Sequence, residues 1–203
     1  MVKEQNTERI ILEAAREVFH LKGMAGARMQ EIADKAGINK ALLHYYYRSK
    51  EKLFEAILLD TIQRFLPTVR ELWESDYSVF QKIENFVHGY IDLLKQNSYM
   101  PAFILQELNL NPNFLKEMME KQIISFNPMK FFMQIEDETR RGKIIPIQPI
   151  QLVINMLALS IFPFMAKPMI TGFTHMGNDD FNRLMDMRKT DITNFIINSI
   201  RLR

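Results

Sequence analysis

The chain has 203 residues, of which 47% are hydrophobic and 25% are charged, and its formal net charge is +2. This composition is ordinary for a globular protein and excludes a fully disordered or collagen-like chain. The absence of cysteine excludes disulfides, thiolate zinc sites and cysteine nucleophiles, and the polar start without an apolar signal segment favours a cytoplasmic protein.

Charged and apolar residues are distributed unevenly along the chain. Residues 1–52 carry ten Lys or Arg and seven Asp or Glu, whereas residues 53–203 carry 16 and 17. Fourteen of the 15 Phe and 11 of the 14 Met follow residue 52. We therefore expect a small basic head, followed by a Phe- and Met-rich body with a different task.

Apolar residues recur at helical spacing throughout the head. The first predicted helix lies between Thr7, as its N-cap, and Gly23, where it ends. Three more predicted helices follow: residues 29–36, ended by Gly37; residues 40–46, with Asn39 as N-cap; and residues 49 to about 66, before Pro67.

The body is also predicted to be helical. The spacing predicts helices over residues 79–94, 149–164 and 178–200, and a further helix over 111–141 that Asn127 and Pro128 divide or kink. No β-like alternation of useful length occurs in the sequence. These patterns predict an all-α fold.

Residues 28–47 have the pattern of a helix-turn-helix. Ala33 is small enough for two helices to cross closely, Gly37 can adopt the left-handed conformation of a tight turn, and Ile38 and Leu43 are apolar and point to a core. The outward face of the second helix is partly aromatic, which is costly unless a partner such as the DNA major groove covers it. That face consists of Lys40, Ala41, Leu42, His44, Tyr45 and Tyr46.

Residues 23–53 resemble the DNA-binding domain of TetR-family transcriptional regulators, and the likeness extends over about residues 5–65. The resemblance implies a three-helix head and a fourth helix that leads to a helical effector-binding and dimerisation domain, residues 66–203. It further implies a homodimeric repressor that binds a palindromic double-stranded DNA operator and releases it when a small ligand binds. The alternative is a non-enzymatic protein-interaction module that keeps the same fold.

Two positions depart from the family pattern. Arg28 stands where Ser or Thr usually caps the second helix, so the cap is lost although Arg can still hold a phosphate. His44 stands where Tyr is usual, and its protonation would make DNA affinity depend on pH. Tyr47 replaces a Phe and is expected in the core. The predicted DNA-binding residues are Arg28, Met29, Asn39, Lys40, Ala41, Leu42, His44, Tyr45, Tyr46 and Lys50.

The sequence carries no set of residues that would support catalysis. No two of the four histidines lie three or four residues apart, and there is neither a Gly-rich phosphate loop nor a Gly-x-Ser-x-Gly motif, so we expect no enzyme activity, cofactor or metal. Residues 144–166 carry no charge, but interspersed Pro, Gln and Asn favour a buried or interface helix over a membrane span.

The resemblance also implies an effector pocket and a dimer interface in the body, and the abundant Met and Phe favour a small apolar effector. The candidate pocket residues are His88, Tyr90, Phe103, Gln106, Asn109, Phe126, Phe132, Met133 and Asn155. The candidate interface residues are Leu157, Ile161, Phe181, Leu184, Ile192, Phe195 and Ile196.

Overall fold

A computed structural model describes residues 2–110, 113, 116 and 127–202, and these residues form ten α-helices and no strand. The predicted all-α fold class is therefore confirmed. The helices are α1 (Val2–Gly26), α2 (Met29–Lys35), α3 (Lys40–Tyr46), α4 (Lys50–Glu74), α5 (Val79–Gln96), α6 (Met100–Leu110), α7 (Met129–Arg140), α8 (Pro149–Met165), α9 (Lys167–Thr174) and α10 (Asn178–Ile200).

The chain divides into two compact units, which we call the head and the body. The head contains residues 1–64 and 97–124, and the body contains residues 65–96 and 125–203. The division therefore falls inside α4, and α6 belongs to the head although it lies far along the sequence.

The core of the head is built from five of its helices. Phe19 of α1, Ile32 of α2, Leu43 of α3 and Phe54 of α4 are fully buried in it. Residues 99–104 complete this core, because Met100 is buried and the ring of Tyr99 lies 6.1 Å from that of Phe19 and 5.5 Å from that of Phe54.

Arg16 links three segments of the head. Its guanidinium forms an ion pair with Asp60 of α4 and donates hydrogen bonds to Thr61 Oγ1 at 2.7 Å and Asn97 Oδ1 at 3.5 Å. Because a partly buried arginine needs its donors satisfied, this network ties α1 to α4 and to the turn before α6.

The body packs around α5, which contacts α7, α8 and α10. Lys95 pairs with Asp186 at 2.6 Å, and Lys189 pairs with Asp92 at 2.5 Å, so two ion pairs join α5 to α10. Among the described residues, the only contact of β type is an isolated antiparallel bridge between Ile144 and Arg201.

One lysine is buried in the body and covers the C-terminal end of α4. Lys82 Nζ donates to the Trp73 carbonyl at 2.8 Å and to Gln134 Oε1 at 2.7 Å. The Glu74 carbonyl also accepts a bond, from Lys130. Burial lowers the pKa of Lys82, and the neighbouring Lys130 charge lowers it further. The last carbonyls of α4 thus receive cations from other helices, which suits the negative end of a helix.

The structure corrects two predicted helix ends. The first helix starts at Val2, so Thr7 lies inside it and not at its N-cap. The fourth helix continues through Pro67 to Glu74 instead of ending near residue 66. The helix predicted over 149–164 corresponds to α8, which runs through Pro163 to Met165.

The continuation of α8 past its proline has a visible cause. Pro163 has no N–H to donate to the carbonyl of Leu159, four residues earlier. Arg188 of α10 occupies that carbonyl instead, through Nη2 at 3.0 Å and Nε at 3.3 Å. A neighbouring helix therefore satisfies the acceptor that the proline leaves without a partner.

The remaining helix predictions agree with the structure only in part. Gly23 has a φ of 66° at a kink in α1, where the first helix was expected to end. Helices α6 and α9 were not predicted. The start of the predicted helix over 111–141 lies outside the described residues, but its second half matches α7, which is followed by Gly142 at a φ of 65°.

Candidate DNA-binding surface

The connection between α2 and α3 has the geometry that the sequence predicts. Gly37 has a φ of 66°, a conformation that favours glycine, and the Ile38 N–H donates to the Ala33 carbonyl at 3.0 Å. Asn39 Oδ1 accepts a bond from the Leu42 N–H at 2.7 Å, so Asn39 is the N-cap of α3. The turn and the cap are therefore confirmed.

Arg28 precedes α2 in an extended conformation and makes no side-chain capping bond. This agrees with the expected loss of the cap at this position. The side chain is exposed, so its guanidinium remains available to a phosphate group.

Helix α3 presents a largely exposed face. The predicted contact residues Asn39, Lys40, Ala41, Leu42, His44 and Tyr45 are exposed, and Tyr45 is the most exposed of the large apolar residues there, at 81%. Tyr46 and Met29 are only half exposed because they pack against the head core. These two predicted contact residues therefore also serve the core.

The positive charges on this surface differ from most other positive charges of the head in their ion pairing. Among the described residues, Arg28, Lys40 and Arg48 are exposed and have no ion pair. The other long cationic side chains mostly have acidic partners: Arg9 with Glu13, Arg16 with Asp60, Lys22 with Glu31, Lys35 with Glu17 and Lys52 with Glu55. A cation that already forms an ion pair must give up that pair before it can bind a phosphate group. The three unpaired cations are therefore the best placed to bind DNA phosphates.

Arg48 is a candidate that sequence reasoning missed. It lies between Tyr47 and the start of α4, in the last position before Ser49. The signal that could have identified it is its place directly after the recognition helix, where side chains commonly meet the DNA backbone.

Lys50 and Tyr47 are held by the head itself. Lys50 is half-buried and its Nζ donates to the Ala27 carbonyl at 3.3 Å. Tyr47 is buried, as predicted, and its hydroxyl donates to Glu8 Oε1 at 3.0 Å. Burial raises the pKa of Tyr47 above its ordinary value, and the bond to Glu8 raises it further.

The predicted effector-pocket residues are not brought together by the described contacts. His88, Tyr90 and Phe132 are half-buried in the body, and the Tyr90 ring stacks on Phe86 at 5.5 Å. Asn109, Met133 and Asn155 are exposed, which does not fit the lining of an enclosed pocket. Phe126 and the side chains of Phe103 and Gln106 lie outside the described residues.

The described part of the body does contain an open groove of about 560 Å³. It follows the end of α7 and the start of α8, and none of the predicted pocket residues lines it. Its lining consists of Glu136, Thr139, Arg140, Pro146, Ile147, Gln148 and Pro149.

The predicted interface residues fall into two groups. Phe181, Ile192 and Ile196 are buried in the body's own core. Their side chains are already covered within one protomer, and a part for them in an interface stays a prediction. Leu157 and Phe195 are exposed, and Ile161 and Leu184 are half-buried.

An apolar stripe remains on the surface of α8 and α10. On α8 the exposed apolar residues are Ile150, Ile154 and Leu157, which are spaced by four and then three residues and so share one helix face. On α10 they include Met187 and Phe195. A stripe of this kind on two adjacent, packed helices is typical of a surface that another protein covers.

No group of three His, Asp or Glu in the described residues could hold a metal ion. No single helix in those ranges has the length and hydropathy of a membrane span, and α8 and α9 reach them only as a pair that is bent by 60°.

Comparison with known proteins agrees with this anatomy. Residues 11–57 match the family model described as bacterial regulatory proteins, tetR family. The chain is 25% identical over 199 residues to the HTH-type transcriptional regulator RutR of Escherichia coli O157:H7, a match that covers 97% of this chain and 91% of the relative.

Two solved structures share the fold. One is a TetR transcription regulator from Haloarcula marismortui, with a TM-score of 0.67 and 14% identity over 98% of this chain and all of that one. The other is a transcriptional regulator of the TetR/AcrR family from Thermobifida fusca, with a TM-score of 0.61 and 17% identity over 93% of this chain and 97% of that one.

Proposed function

We propose that this chain, which belongs to the TetR family of transcriptional regulators and carries a DNA-binding helix-turn-helix, acts as a homodimeric, non-enzymatic repressor in the cytoplasm. Helix α3 of each copy enters the major groove of a palindromic operator. A small apolar molecule that binds the body lowers the affinity for that operator.

The observation that carries DNA binding is the set of unpaired cations around α3. Arg28, Lys40 and Arg48 precede α2, begin α3 and follow α3, and all three are exposed. Phosphate contacts from such positions fix the register of a helix in the groove, while side chains near the start of α3 reach base edges. Ala41 and Leu42 can contact thymine methyl groups there.

The apolar stripe on α8 and α10 supports a homodimer. Two copies that bring these stripes together form a four-helix bundle in which Ile154, Leu157 and Phe195 lose their contact with water. A two-fold dimer then presents two copies of α3 to two half-sites, which a palindromic operator requires.

Effector control is supported by the continuity of the chain. Helix α4 begins in the head and ends in the body, and the chain returns to the head at residues 97–104. To lower the affinity for DNA, an effector needs only to bind another conformation of the protein more tightly than it binds the DNA-competent conformation. DNA must then weaken effector binding by the same factor.

Salt titrations with duplex DNA test the DNA-binding proposal. The variants Arg28→Ala, Lys40→Ala and Arg48→Ala should each reduce affinity for all duplexes alike, and each should flatten the salt dependence by about 0.9 per lost phosphate contact, hence by about two per dimer. Arg9→Ala is the matched control, because Arg9 is an exposed head cation that already pairs with Glu13.

The outcome also separates the two functions. Three variants with unchanged salt slopes would remove the cations from the DNA contact. A purified protein that retains no duplex, including DNA from beside its own gene, would favour the protein-interaction module instead. Footprinting on that flanking DNA identifies the operator if the regulator is autoregulatory.

Light scattering tests the dimer. Leu157→Asp and Phe195→Asp put an unpaired charge into the stripe and should give monomer at micromolar concentration. Met133→Asp is the control, because Met133 is exposed on α7 and lies outside the stripe. Variants at positions 157 and 195 that stay dimeric would move the interface elsewhere.

Trp73 reports on effector binding because it is the only Trp and is buried in the body beside Phe131, with their rings 5.0 Å apart. Apolar compounds should be titrated with and without bound DNA. A compound that binds equally tightly in both cases is no inducer. If every binder behaved so, release of DNA by an effector would be refuted.

A further inference from the structure

His44 lies on the exposed face of α3, and one of its ring nitrogens is already in use. Its Nδ1 is 3.3 Å from the carbonyl oxygen of Arg48, which follows one helical turn later. A carbonyl oxygen can only accept a hydrogen bond, so Nδ1 must carry the proton that is donated to it. The neutral imidazole is therefore held as the Nδ1–H tautomer.

This tautomer determines what the outward nitrogen can do. In the neutral ring, Nε2 has a lone pair and no hydrogen, so it cannot donate to a phosphate oxygen. Protonation adds a hydrogen at Nε2 and a positive charge while the bond to Arg48 is kept. Only the imidazolium can therefore hold a DNA phosphate at this position.

Within the described ranges, no carboxylate contacts the ring of His44. Along its own segment, His44 has the cations Lys40 and Arg48 one turn away on either side. The carboxylates of the surrounding helices with described contacts are engaged elsewhere: Glu8 with Tyr47, Glu13 with Arg9, Glu17 with Lys35, Glu31 with Lys22, Asp34 with Gln30, Glu51 with Ser49, Glu55 with Lys52 and Asp60 with Arg16. A DNA phosphate would therefore not have to displace any described carboxylate from the ring.

We infer that His44 is a protonation-dependent phosphate contact, which makes the affinity for duplex DNA rise as the pH falls from 8 to 6. The inference rests on the proposed DNA binding. The position of His44 in the last turn of α3 favours the phosphate backbone over base edges, because residues near the start of a recognition helix are the ones that read bases.

Anisotropy titrations of the full-length protein with a random-sequence duplex of roughly 30 base pairs test the inference, since a phosphate contact needs no particular sequence. At constant ionic strength, the wild type should bind about threefold more tightly per head at pH 6 than at pH 8, the size of an exposed ion pair. Its salt dependence should also be steeper by about 0.9 per head at pH 6.

His44→Gln should lose both effects, because Gln cannot gain a proton. His20→Gln is the matched control: it removes an exposed histidine from α1 in the same unit and should keep both effects. Long-range ¹H–¹⁵N spectra of the imidazole rings provide a second readout. At pH 8 the signal that His44→Gln abolishes should be that of an Nδ1–H tautomer.

Three results would overturn the inference. One is a pH response that survives in His44→Gln. Another is a wild type that binds more weakly at pH 6, with the loss depending on His44, because a neutral Nε2 would then be accepting a bond from a base amino group. The third is an Nε2–H tautomer in the spectra. A wild type that binds no duplex at either pH would instead refute the proposed function, and the spectra would still test the tautomer.

Discussion

The stability of α8 should depend on an arginine from another helix. Arg188 donates two hydrogen bonds to the Leu159 carbonyl, to which Pro163 has no N–H to donate. Arg188→Met keeps much of the aliphatic stem but removes both of these donors. Since a hydrogen bond to a charged group contributes about 1.5–3 kcal/mol, and its two N–H groups share one oxygen here, we expect a loss of about 2 kcal/mol in the free energy of unfolding.

A double-mutant cycle isolates this contact. In Pro163→Ala the new backbone N–H at position 163 can itself donate to Leu159, so the arginine is no longer required there. In that background Arg188→Met should cost less than about 1 kcal/mol, which leaves a coupling energy of about 1–2 kcal/mol.

Urea unfolding followed by circular dichroism measures all four proteins, at one protomer concentration because dimerisation adds to stability. Arg183→Met is the control, since Arg183 lies on the exposed side of α10 and pairs within its own helix, with Asp180. It should cost less than about 0.5 kcal/mol. An equal cost of Arg188→Met with and without Pro163 would refute the account.

Further predictions concern the head and the tyrosines. Asn39→Ala should lower the free energy of unfolding by about 1 kcal/mol in the same assay because the Leu42 N–H loses its cap, and Asn39→Ser should restore most of it. Burial raises the pKa of Tyr90 and of Tyr99 to about 12. Between about pH 10 and 12 the unfolded chain ionises these phenols while the folded chain does not, so stability should fall by about 1.4 kcal/mol per pH unit per tyrosine. Tyr99→Phe should remove one such contribution and cost nothing at pH 7, because its buried hydroxyl has no hydrogen-bond partner among the residues that the structure describes; an unchanged alkaline slope would contradict this.

The helix-turn-helix could be predicted because its signals are local. Gly37 and Asn39 act through their own backbone and side-chain geometry within three residues, and both behave as expected. Tyr47 lies four residues after Leu43, directly after the same short helix, and is buried as expected. Arg48 was missed because an unpaired cation is recognised only once the partners of the other cations are known.

Pro67 shows why the end of the fourth helix could not be predicted, and Pro163 shows what the continuation of a helix past a proline requires. Pro67 and Pro163 each remove one N–H, which on average ends or bends a helix. Whether the helix continues depends on what satisfies the orphaned carbonyl, and at Pro163 that is Arg188, 25 positions along the chain. The local sequence does not indicate such a partner.

The apolar residues of α10 show a related limit. Phe181, Ile192 and Phe195 all contribute to its apolar character, but the first two face the protomer's own core and only the third is exposed. The helical period tells which residues share a face. It does not tell whether the same chain or a second copy covers that face.

The insertion of Tyr99 and Met100 into the head core has a consequence for synthesis on the ribosome. A nascent chain that has emerged only as far as α4 lacks the side chains that cover Phe19 and Phe54, and Arg16 lacks one of its acceptors, Asn97. The head therefore reaches its native packing only after the whole of α5 has been translated. In chimeras that exchange heads between relatives by a single crossover near residue 65, residues 97–104 would come from a different protein than the head core that they pack against. Grafts that also carry residues 97–104 would keep this packing.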